Sequence, residues 1–210
     1  MRRSPIKILK VKHHTSEELI KKLRQITMLT DPGMHIYKDV YISLEKIKTD
    51  FLSPAQNYVL TGELQKVREL KWQLKEHKLD LFALNGYVSL YMDGFKDPVD
   101  LLPPVIEESV EKDGSVFNIV CDGMHRVFLA RLEWIVPQVI FIRGIPKDNP
   151  YYSFPVPGGW EKVFITEDLP EGIIKKWHRI REYKSLYRNF NSAFENVGGP
   201  RGRFSANISG

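Results

Sequence analysis

Apolar residues recur along the chain in two distinct periods, and each period marks a different kind of element. Leu64, Val67, Leu70 and Leu74 stand three or four apart, with Glu63, Lys66, Arg68, Lys71 and Lys75 between them. That spacing predicts a long amphipathic helix with a solvated charged face. Leu19, Leu23 and Ile26 repeat the pattern behind Thr15-Ser16-Glu17-Glu18, a capping box that satisfies the first free amides of a helix. Asp31-Pro32-Gly33 stops that helix. Residues 6–11 and 40–44 predict strands, as do 87–91, set between the turn signals Asn85-Gly86 and Asp93-Gly94.

The middle of the chain carries the clearest pattern. Residues 104–107 predict a strand, Lys112-Asp113-Gly114-Ser115 a tight turn, and 116–121 a second, largely apolar and therefore buried strand. Asp122-Gly123 breaks it, an apolar helix follows over 125–134, and 139–142 predict another strand. From 146 to 157 proline and aromatic residues crowd together, the expected boundary between two subregions. Beyond it, 163–165 predict a strand, and Ile173, Trp177, Ile180, Tyr183, Tyr187 and Phe190 fall on one face of a second long helix. The pattern predicts an α+β fold: a small mixed sheet flanked by helices, with a helical C-terminal extension. The units expected are residues 1–145, an extension over 146–196, and a tail over 197–210 whose glycine-rich, weakly apolar composition predicts disorder.

Composition narrows the partners. A net charge of +5 favours anionic ligands such as nucleotides, phosphorylated metabolites or nucleic acid. Cys121 is the single cysteine, which excludes an intrachain disulfide and a cysteine-based zinc cage and fits a reducing, cytoplasmic location. No apolar run is long enough for a membrane helix, so no membrane partner is expected.

The richest chemistry lies at Asp122-Gly123-Met124-His125-Arg126. A buried strand that turns at once into a helix gathers free backbone amides and the positive end of the helix dipole at one point, where anions bind. Gly123 permits the sharp turn, Gly123 and Met124 offer amides, and Arg126 in the first helical turn suits two charge-assisted bonds to phosphate. Asp122 has three readings: helix cap, general base, or magnesium ligand beside the phosphate. A protonated His125 would lie against phosphate, or else pack on the strand. Glu107, at the end of the preceding strand, is placed to offer a carboxylate to the same crevice.

Strand, Asp122-Gly123-Met124-His125-Arg126, apolar helix and strand together resemble the central signature of the ParB/sulfiredoxin superfamily. Ile42-Ser43-Leu44-Glu45-Lys46-Ile47 and Pro54-Ala55-Gln56 resemble its first box, and Pro103-Pro104-Val105-Ile106-Glu107 the strand before the turn. The resemblance covers residues 40–143 and implies that 1–145 form a phosphate-binding domain of that fold. Sulfiredoxins carry a catalytic cysteine inside the turn, where this chain has Met124. Partition proteins of the superfamily continue into a helix-turn-helix domain, a pattern absent after Gly144.

The superfamily's free-serine kinases share the D-G-x-x-R turn. By that resemblance Asp122 would activate the acceptor, with His125 and Arg126 on the phosphates of ATP or another nucleotide held with Mg2+; Glu107 is the further catalytic candidate, and Gly123, Met124 and Gln56 are the further nucleotide-binding candidates. The kinases have a glutamate in the first box where this chain has Gln56, which cannot act as a base. The function expected is a nucleotide-dependent phosphotransferase acting on a small hydroxylated molecule or a nucleotide. The alternative is a ParB-like nucleic-acid-binding or nuclease protein, aided by Lys175, Arg179 and Lys184 in the basic, aromatic-rich C-terminal segment. Gly158-Gly159-Trp160 reads as a lid or substrate wall, or as a plain turn before a strand.

Overall fold

A computed structural model describes residues 7–169 and 175–198 of the chain. In order, the elements are β1 (Ile8–His14), α1 (Ser16–Leu23), β2 (Thr27–Met28), β3 (Tyr41–Lys46), β4 (Tyr58–Leu60), α2 (Thr61–Glu76), β5 (Tyr87–Met92) and β6 (Val99–Leu101). There follow β7 (Val105–Val110), β8 (Val116–Asp122), α3 (Met124–Leu132), β9 (Gln138–Arg143), β10 (Ser153–Phe154), β11 (Phe164–Thr166), β12 (Trp177–His178) and β13 (Arg188–Asn189).

The central sheet runs β3-β9-β7-β8; β7 lies parallel to β9, and the other pairs are antiparallel. This is the mixed sheet expected from the pattern, and the fold is α+β. Strict alternation divides the strands between two cores. Val105, Ile119, Ile140 and Ile142 face α1 and the C-terminal segment, packing with Leu19, Leu23, Tyr37, Tyr151 and Leu186. Ile106, Val120, Val139 and Phe141 face α2 and α3, packing with Leu64, Leu74, Val127 and Leu129. Burial on both faces explains the near-continuous apolar runs of β8 and β9. A second antiparallel sheet, β1-β5-β6, adjoins them.

Local chemistry sets the helix boundaries. At α1 the capping box forms in full: the Glu18 amide donates to the Thr15 hydroxyl at 3.2 Å, and the Thr15 amide donates to the Glu18 carboxylate at 2.8 Å. This helix ends at Leu23, short of Asp31-Pro32-Gly33, because Ile26 drops into the core and Thr27–Met28 pair with β13.

The C-terminal helix expected from Trp177, Ile180, Tyr183, Tyr187 and Phe190 does not form; Ile173 lies outside the described residues. Residues 175–198 form β12, which pairs with β10, β13, which pairs with β2, and 3-10 turns at Tyr183–Leu186 and Phe190–Ser192. The aromatic spacing serves tertiary stacking instead. Tyr183 stacks on His178 with ring centroids 3.6 Å apart, and Tyr187 stacks on Tyr152 at 4.3 Å. Of the tail, Val197 is buried in the core, and 199–210 lie outside the described residues. Among the described residues no helix is long and apolar enough to cross a membrane.

Candidate functional site

β8 delivers the chain to Asp122, and Gly123 turns it with φ +84° and ψ +25°, the left-handed conformation that glycine adopts without penalty. A Cβ here would stand 2.9 Å from the Arg126 guanidinium and 3.0 Å from the Pro104 Cβ. The first helical bond of α3 runs from the Val127 amide to the Gly123 carbonyl at 2.9 Å, so the Met124, His125 and Arg126 amides precede the helical ladder. They lie at the positive end of the α3 dipole beside the partly exposed Gly123 and Asp122. Met124 has its side chain in the core.

Arg126 is engaged within the protein. One guanidinium nitrogen donates to the Asp122 carboxylate at 2.8 Å and the other to the Leu102 carbonyl, leaving the side chain 11% exposed. Burial lowers its pKa, and Asp122 opposes that shift. The guanidinium thus braces the loop before β7 and fixes the carboxylate that the sequence reading assigned to capping, base or metal duty. It does not project as a free phosphate clamp.

Of the two readings of His125, the structure has the imidazole bonded within the protein and not as a protonated ring. Its Nε2 accepts the Leu60 amide at 3.2 Å, which requires an unprotonated nitrogen, and burial lowers its pKa. The bond ties the turn to the segment after the first box. Gln56 is close in sequence to that segment, and its side-chain amide donates to the Tyr58 carbonyl at 2.8 Å. Ser53 joins the same arrangement: its amide donates to the Asn118 carbonyl at 2.7 Å, and its carbonyl accepts from Val120 at 2.9 Å. The chain around Pro54-Ala55-Gln56 therefore lies beside β8 and the turn, whereas residues 42–46 of the first box belong to β3, at the opposite edge of the sheet.

Glu107 is displaced from the crevice where it was expected. It is 1% exposed and forms a bidentate ion pair with Arg188, at 2.9 and 2.8 Å, while Tyr37 donates to it at 2.5 Å. Asp122 and Glu107 are thus both held by guanidinium groups, and this donor set does not fit a resident divalent cation. Among the described residues no group of three or more His, Cys, Asp or Glu is placed to hold a metal ion.

Lys176 is a neighbour of the turn that sequence reasoning missed. Its ammonium lies 3.1 Å from the Tyr151 hydroxyl and 4.6 Å from the Tyr152 ring centroid, and Tyr151 in turn donates to the Cys121 carbonyl at 3.0 Å. Burial pulls its pKa down to about 8, against the upward influence of Cys121 and Asp122. Nothing in the local pattern distinguishes Lys176 from the cations around it.

The three basic residues assigned to nucleic acid separate. Lys175 and Lys184 are exposed. Arg179 is 8% exposed at its side chain, bidentate to Glu111 at 2.6 and 2.7 Å and bonded to the Tyr151 carbonyl at 2.7 Å, so it is a structural residue. A cleft of about 1350 Å³ lies away from the turn, between the β7–β8 hairpin tip and residues 147–161. Trp160 is part of its wall, with the indole nitrogen donating to the Thr49 and Leu52 carbonyls at 2.8 and 2.6 Å.

The family model of the ParB CE domain matches residues 18–164, a span that holds the central sheet, both boxes and α3. No curated protein and no solved structure matches the chain.

Proposed function

Because the chain belongs to the ParB CE domain family, we propose that it is a ParB-like nucleic-acid-binding protein that takes a backbone phosphate at the turn between β8 and α3. The observation that carries this reading is the set of Met124, His125 and Arg126 amides ahead of the first helical bond, next to a glycine whose left-handed conformation turns the chain sharply there. The net charge of +5 and the exposed Lys175 and Lys184 add an attractive field for a polyanion.

The phosphotransferase reading, with ATP or another nucleotide, Mg2+ and a hydroxylated acceptor, has less support. It asks for a free carboxylate base and a free guanidinium clamp, and Glu107, Asp122 and Arg126 are occupied with one another or with Arg188. A magnesium nucleotide is therefore the control ligand, and DNA and RNA are the test ligands.

The test uses His125→Glu. The new carboxylate keeps an acceptor for the Leu60 amide and favours the helix N-terminus, yet sets a negative charge where phosphate would lie. Fluorescence anisotropy with labelled DNA and RNA should show an affinity that falls linearly in log–log salt titrations. The variant should weaken it about tenfold or more while its circular dichroism spectrum stays that of the folded protein. A thermal shift with magnesium nucleotide but none with any polynucleotide would overturn the proposal in favour of phosphoryl transfer.

A further inference from the structure

Two tryptophans stand in solvent at one end of the helical layer. Trp72 on α2 is 68% exposed, and Trp134, just past α3, is 92% exposed. Solitary apolar residues on a surface need no account, but Trp134 is held there by its backbone. The Ile135 amide donates to the Ala130 carbonyl at 2.9 Å and the Trp134 amide to the Arg131 carbonyl at 3.2 Å, the paired bonds of a Schellman stop. Its left-handed position ordinarily holds glycine; here Trp134 occupies it at φ +56°. The fold thus holds a non-glycine residue in a strained conformation and leaves its indole bare.

Arg68, Trp72 and Lys75 stand at i, i+4 and i+7, so they share one face of α2, and all three are exposed. The Lys75 ammonium lies 5.1 Å from the Trp72 ring centroid. On the helical wheel that face borders Lys71, whose ammonium pairs with Glu133, the residue before Trp134. The ion pair fastens the end of α3 beside the Arg68–Trp72–Lys75 face and neutralises Glu133. Lys78, also exposed, closes α2 with the same left-handed stop, at φ +59°. Glu69 and Glu76 lie beyond Trp72 on the far flank of the wheel.

We propose that this strip of Trp72 and Trp134, with Arg68 and Lys75, binds single-stranded nucleic acid, its bases stacked on the indoles and its phosphates on the cations. Alternating flat π surfaces and positive charge match the alternation of base and phosphate, and unpaired bases expose the faces that a duplex hides. The inference rests on the nucleic-acid reading above but uses the opposite end of α3, a nine-residue helix about 13 Å long, from the phosphate-binding turn. The two sites can thus fail separately.

The test compares wild type, Trp72→Ala, Trp134→Gly and the double variant in anisotropy titrations with labelled oligo-dT and with a labelled mixed-sequence duplex. Each single variant should weaken oligo-dT binding about tenfold, the double variant more, and duplex binding should hold. Trp134→Gly relieves the left-handed strain, so its melting temperature should rise while binding falls, a pairing that a structural role would not give. Unchanged oligo-dT affinity in the double variant overturns the inference, as does loss of self-association in sedimentation with oligo-dT binding intact. Duplex binding that remains sensitive to His125→Glu while the tryptophans have no effect sinks this inference alone. No binding to either nucleic acid removes the functional reading and this one with it.

Discussion

Arg126 and His125, the two side chains in the turn best suited to hold phosphate, each bond to a partner inside the protein. A guanidinium that satisfies the Leu102 carbonyl and the Asp122 carboxylate makes the turn rigid, so its amides are held in place before any anion arrives. His125 does the same for the segment after the first box through Leu60. Removing that imidazole leaves a partly buried amide without an acceptor. His125→Ala should therefore lower stability by about 1–3 kcal/mol in chemical denaturation. It should reduce polynucleotide affinity far less than His125→Glu, since no charge is introduced. Equal loss of affinity in the two variants would return His125 to direct phosphate contact.

At the scale of elements, the C-terminal segment is fastened to the sheet through β7. Arg188 from β13 meets Glu107, and Tyr37 closes the pair, all three within the core. Breaking a buried pair strands one charge, so Arg188→Met should cost about 3–5 kcal/mol in denaturant unfolding, whereas Arg188→Met with Glu107→Leu should recover much of that loss. Additive losses would mean that the pair is not coupled. The helices and strands legible in the sequence are those whose cause is local: the α1 capping box, the apolar stripe of α2, the Gly114 hairpin, and the passage from β8 through Gly123 into α3. The C-terminal segment reads as a helix because Tyr183 and Tyr187 lie at helical spacing, whereas Tyr187 stacks on Tyr152, 35 residues back along the chain, and Tyr183 on the nearby His178. Within the site, the turn and its glycine were legible. The capture of Arg126, the burial of Glu107 and the approach of Lys176 were not, since each depends on a partner 24 to 81 residues away or on burial that only the assembled fold creates.

The whole molecule is a mixed sheet between two apolar cores, and over its α1-side core the C-terminal segment sets one lysine among tyrosines. Burial draws the Lys176 ammonium down to about 8 from an ordinary value of 10.5. Between those values the unfolded chain holds more protons than the folded one, so stability rises with pH across that window. Below about pH 8 both states carry the proton and the cost of burying the charge is present in full. Tyr37, Tyr151 and Tyr152 act in the opposite sense: burial raises their pKa values above the ordinary 10.0, so the unfolded chain alone ionises near pH 10 and stability falls again. Melting temperature should therefore climb above pH 8 and turn over near pH 10, with a gain on the order of 1–3 kcal/mol. Lys176→Met removes the titrating group but keeps the apolar stem, so it should abolish the climb and leave the fall. A climb that persists in Lys176→Met would place the titrating group elsewhere and leave Lys176 without the buried charge that its contacts with Tyr151 and Tyr152 describe.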